Sequence, residues 1–115
     1  MPIESQFLFL AAMDIAPERE DLFNEVYDTE HIPALNKVRG VISTARFRSE
    51  PFKLQIGGET KNMEASTPLY VAMYELRSPD VLTSPEWKAA VESGRWPSAV
   101  RPFTKDRRHT VLKKI

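Results

Sequence analysis

The sequence predicts an α+β fold, a four-stranded antiparallel sheet with two helices on one face, and three observations predict it. Two runs, FLFLAAM at 7–13 and PLYVAMYEL at 68–76, are apolar at neighbouring positions rather than alternating ones. Such short runs suit strands covered on both faces. Two other segments each carry a proline where a helix would begin, followed by apolar residues at helical spacing. The segments then follow one another as strand, helix, strand, strand, helix, strand, which is the ferredoxin-like βαββαβ plan.

Each element has its own warrant. The first helix lies in IAPEREDLFNEVYDTEHIP. Pro17 suits a first helical position, and Glu18 and Glu20 suit the positive end of the helix dipole. Leu22, Phe23, Val26 and Tyr27 form the apolar stripe, opposite Asp21, Asn24, Glu25 and Asp28. Pro33 disfavours helical geometry at Ile32, so the helix is expected to stop there. Gly40 marks a turn into VISTARFR at 41–48, rich in β-branched and aromatic residues. Residues 49–67, with Pro51 and Gly57-Gly58, read as a hairpin or a long loop. Pro68 is acceptable at the start of the next strand. The second helix has Ser84 as N-cap, Pro85 at its first position, Trp87, Ala90 and Val91 as its stripe and Gly94 as its stop. RRHTVLKKI completes the order as a final strand.

Two helices cover only one face of such a sheet, yet the first and third strands are apolar on both sides. A second copy of the same sheet is the simplest cover, so a homodimer packed face to face is expected.

Composition narrows the function. At 115 residues the chain is expected to form one domain with one hydrophobic core. Sixteen basic and sixteen acidic residues cancel, with no basic stripe, which argues against nucleic-acid binding. There is no cysteine, hence no disulfide, thiolate metal site or cysteine nucleophile. The run at 7–13 is too short to span a membrane, and no basic residue precedes it as in a signal peptide. A cytoplasmic protein without membrane contact is expected. Two scattered histidines lack zinc-binding spacing, and no GxGxxG, GxxxxGK[ST] or GxSxG occurs. No cofactor is expected.

The residues that stand out for chemistry cluster at the end of the first helix. At about 100° per residue, Glu30 falls in line with Leu22 and Val26 on the apolar arc. A carboxylate there needs a partner or a pocket. His31 lies on the flank of the arc, one turn beyond Tyr27, and its ordinary pKa lets it exchange a proton near neutrality. It could equally be a helix-terminal cap. Tyr70 and Tyr74 share a strand face with small Ala72 between them, as in a pocket floor with two hydroxyl donors, or as in a packed sheet. Trp87 and Trp96 fit a core or the wall of an aromatic site. Arg101 could hold a carboxylate or enolate, or form a surface ion pair. His109 reads as an edge-strand residue.

The segments YDTEHIPAL, VRGVISTARFR, LYVAMYEL, SPEWKAA and RPFTKDRRHTVLKKI cover nearly the whole chain. In this order the sequence resembles the dimeric α+β barrel superfamily, most of all its EthD-like and small uncharacterised stress-type bacterial members. The resemblance implies a ligand pocket between sheet and helices in each subunit, often with a histidine or tyrosine as acid or base. The glutamate–histidine–proline element of those relatives corresponds to Glu30, His31 and Pro33. Residues 49–67 exceed the turn expected of that superfamily. Its members include cofactor-free monooxygenases, cyclases, dehydratases, isomerases, haem enzymes and proteins without known activity. The expectation is a cofactor-free enzyme moving protons on a small apolar, aromatic or polyketide-like molecule. In it, Glu30 and His31 are the catalytic pair, and Tyr27, Tyr70, Tyr74, Trp87 and Arg101 bind substrate. The alternatives are a non-catalytic dimer that binds a hydrophobic ligand, a cofactor-free monooxygenase and a haem protein ligated by His31.

Overall fold

Strand β1 (Phe7–Ile15) lies at the centre of the sheet in this computed structural model, which describes residues 3–115. Helical residues Glu20–Val26 (α1) and Ile32–Asn36 (α2) follow, then strands β2 (Val41–Arg48), β3 (Phe52–Ile56), β4 (Glu59–Met63) and β5 (Tyr70–Leu76). Helix α3 (Pro85–Val91) and strand β6 (Thr104–Lys113) complete the chain. The main sheet has the order β2-β5-β1-β6 and is antiparallel throughout. Strands β3 and β4 form a separate hairpin turning at Gly57 and Gly58, both with positive φ. Thus the 49–67 segment contains a hairpin.

Helix layer and sheet meet through Phe23, Val26, Tyr27 and Leu35 on one side and Met13, Ile15, Tyr74 and Leu76 on the other. Ser84 caps α3 as its sequence suggests, its Oγ accepting from the Trp87 N–H at 3.2 Å.

The end of the first helix departs from expectation. Pro33 does not terminate it. Residues Tyr27–His31 form a wide π-type turn, in which the Ile32 N–H reaches back to the Tyr27 carbonyl, and Pro33 sits in the first turn of α2. At that position a proline forfeits no intrahelical hydrogen bond. Residues in a wide turn advance less around the axis than the about 100° of an α-helix. The wheel position of Glu30 is therefore lost: the carboxylate turns outward and His31 turns into the core, 6% exposed.

Among the described residues no layer covers the opposite sheet face. Paired rows across it read Ala45, Met73, Leu10, Thr110 and Phe47, Val71, Ala12, Arg108. The β3–β4 hairpin projects with every residue exposed, and Phe52, Leu54 and Ile56 share one of its faces. The radius of gyration is 15.8 Å, against about 13 Å for a compact chain of this length. No helix among the described residues is long and apolar enough to cross a membrane.

Candidate active site

A cavity of about 310 Å³ lies between the helical layer and strands β1, β5 and β6. Its floor is Phe9, Ala11 and Met13 from β1 with Tyr74 from β5. Tyr27 and His31 enter from the first helix, Trp87 from α3, and Trp96 and Arg101 from the connector after α3. Strand β6 adds Arg107 and His109.

His31 is the one buried polar residue of the described chain. Its ring lies parallel to the Trp96 indole, centroids 4.0 Å apart and planes 13° apart, and edge-on to Tyr27. Its Nδ1 is sealed from solvent without a hydrogen-bond partner. Burial, with the nearby Arg101 charge, depresses its pKa to about 4, and Glu92 offsets this only in part. The imidazole is therefore neutral at physiological pH.

Tyr27 and Tyr74 meet through their hydroxyls. Burial raises the pKa of both, that of Tyr74 more, so both stay protonated at neutral pH. Trp87 stands edge-on to Phe9 and Tyr74, at 5.8 and 5.6 Å between centroids. Arg101 donates to Glu92 at 2.9 Å and to the Val91 carbonyl at 2.8 Å, closing the end of α3 while lining the cavity.

His31, Tyr27, Tyr74, Trp87 and Arg101 thus share one cavity, whereas two other sequence candidates stand outside it. Glu30 points to the loop after α3. The Arg95 backbone N–H donates to its Oε1 at 2.8 Å and the Arg95 Nε to its Oε2 at 2.6 Å. These hydrogen bonds hold its carboxyl below the usual carboxylate range. The partner that a carboxylate at this position requires is therefore Arg95, and the lining of the cavity does not include Glu30. A Cβ on Gly94 would come within 2.7 Å of Glu30 Oε1, so the glycine is what lets this clasp close. Tyr70 shares a strand face with Tyr74 but packs on Phe23 and donates to Glu20 Oε2 at 2.6 Å. It lines a shallow depression beside Arg46 and Arg48 instead.

Two cavity residues are not legible as site residues in the sequence. His109, read as an edge residue, stacks on Phe9 at 5.8 Å with planes 5° apart. Burial and Arg107 lower its pKa. Arg107 lies beside an irregularity in β6. Ala12 pairs with Arg108 and Asp14 with Lys105, so Asp106 and Arg107 together oppose the single residue Met13. Asp106 takes φ 54°, a left-handed conformation that aspartate tolerates. Arg107, two residues before His109, shares its strand face and lies on the cavity side, while the bulge takes up the extra residue beside it. Alternation along the final strand pairs His109 with Ala11, the one signal that could have found it.

No family sequence model matches the chain, and no curated protein sequence matches it. The backbone is similar to the crystal structure of an ethyl tert-butyl ether D (EthD) family protein from Bacillus halodurans C-125, with a TM-score of 0.58 and 18% sequence identity. The similarity spans 95% of this chain and 99% of that one. At that identity the likeness concerns the fold alone: this chain has the fold of an EthD family protein, a ferredoxin-like antiparallel sheet backed by helices.

Proposed function

We propose that the protein is an acid–base enzyme acting on a small, largely apolar molecule with an enolisable carbonyl, as an isomerase, cyclase, dehydratase or lyase does. One observation carries this reading: a buried, neutral imidazole opens the same cavity as a pair of protonated tyrosine hydroxyls. In the proposed step, His31 takes a proton from the carbon next to the carbonyl. The electron pair moves into the carbonyl oxygen, and the Tyr27–Tyr74 pair donates a hydrogen bond to the resulting enolate. The imidazolium then returns its proton to a different atom, which sets the product. Glu30 acts through position rather than contact, by anchoring Arg95 next to Trp96, whose ring holds the imidazole.

A cavity of about 310 Å³ stands at the low end of ligand-pocket sizes. It suits one or two fused rings better than a macrocycle, which favours this reading over haem ligation by His31. The sealed Nδ1 favours a second reading, a non-catalytic dimer that only binds such a ring. Proton exchange separates the two. Enolisable aryl ketones incubated with the protein in deuterium oxide should gain deuterium next to the carbonyl, read by proton NMR. His31→Gln should abolish the gain. Equal exchange in the variant overturns the catalytic role of His31.

The same proposal includes a homodimer formed through the open sheet face. Its apolar rows, with Leu10, Phe47, Val71 and Met73, need a cover of similar shape, and a second sheet supplies one. Light scattering at micromolar concentration should give twice the chain mass, and Met73→Glu should give the monomer. A monomeric wild-type protein overturns it.

A further inference from the structure

We infer that the molecule bound in this cavity is an aromatic monoanion, its ring between Phe9, Trp87 and Trp96 and its carboxylate or phenolate oxygen at Arg107. The inference rests on the reading of the cavity as the active site and adds the charge of its ligand. No aspartate or glutamate lines the cavity, whereas two arginines do. Their situations differ. Arg101 is neutralised by Glu92 and anchored to the Val91 carbonyl. Arg107 makes no ion pair among the described residues, and it lies two residues before His109, on the same strand face, where both line the cavity. The cavity therefore presents one uncompensated cation beside an aromatic wall, which is complementary to a single anionic group on a ring.

The charge balance of the histidines agrees. Arg101 and Arg107 each oppose protonation of the histidine beside them. An anion at Arg107 relieves the repulsion on His109, so this imidazole is more readily protonated in the occupied site than in the empty one. A neutral ligand lacks this effect.

Both tryptophans line the cavity, so their fluorescence reports its occupation. The test is a titration with 1-naphthoate and with its neutral analogue 1-naphthamide, in wild type, Arg107→Gln and Arg108→Gln. Arg108 carries the same charge one residue on but pairs with Ala12 on the open face. Naphthoate should bind wild type at least tenfold more tightly than naphthamide. Arg107→Gln should remove that preference and leave naphthamide binding unchanged, while Arg108→Gln should leave the preference intact. Added salt should weaken naphthoate alone. Equal affinity for the two probes, or a preference that survives Arg107→Gln or disappears with Arg108→Gln, overturns the inference and leaves the proton-transfer reading standing. If neither probe binds, the inference and the cavity reading beneath it fall together.

Discussion

The His31 imidazole and the Trp96 indole are stacked at 4.0 Å, joining the end of the first helix to the connector after α3. Glu30, the residue before His31, binds Arg95, the residue before Trp96. Two successive residues on one element thus clasp two successive residues on another, one pair through charge and one through ring faces.

The burial of His31 makes stability depend on pH. The folded-state pKa of His31, about 4, lies below its ordinary value of 6.5. The unfolded chain therefore binds more protons between these values. The associated stability is present above about pH 6.5 and is lost as pH falls toward 4. Urea unfolding should give a wild-type protein about 2 kcal/mol less stable at pH 4.5 than at pH 7. In His31→Gln this component should vanish; an equal loss in the variant would assign it to other groups.

The Glu30–Arg95 clasp gives a prediction at Gly94. Its φ is 65°, and an added Cβ would collide with the Glu30 carboxylate. Gly94→Ala should destabilise the protein by about 1–2 kcal/mol and shift the Trp96 emission. Glu30→Gln keeps the backbone conformation, so it should shift the emission without the strain. An unaltered spectrum in both variants refutes the positioning role of Glu30.

Phe23 is fully buried and packs against Tyr27, Tyr70 and Trp96. Phe23→Ala should cost about 3–5 kcal/mol in chemical denaturation. A loss below 1 kcal/mol would mean that the helix and sheet do not meet there as described.

The β3–β4 hairpin contributes no buried residue. Replacing residues 51–65 by a short turn should lower the melting temperature of the isolated chain by only a few degrees. A collapse of the fold would mean that the arm is part of the core.

The architecture was largely legible because each element declared itself locally: continuous apolar runs for β1 and β5, Ser84-Pro85 for the start of α3, paired glycines for the hairpin. The site was legible only in part. Tyr27 and Tyr74 could be found because regular periodicity places them toward one space, and His31 because it follows Tyr27 by one turn. The misreadings fall where periodicity breaks. The wide turn at 27–31 moved Glu30 out of its expected line, and Pro33, a helix breaker by rule, became harmless after it. The partners of Tyr70 and Trp96 lie far along the chain, which local spacing cannot reveal.

The bulge at Asp106 has a further consequence. Removing that one residue would restore simple alternation between Lys105 and Arg108. Arg107 would then oppose Met13 alone, while Lys105 and Thr104 would keep Asp14 and Ile15 as partners. No charged side chain would have been deleted except an aspartate that lies outside the cavity. The bulge thus stores a surplus residue without moving the cation: the charge of the site stays with Arg107 on the face it shares with His109, and the last strand tolerates a change of length there.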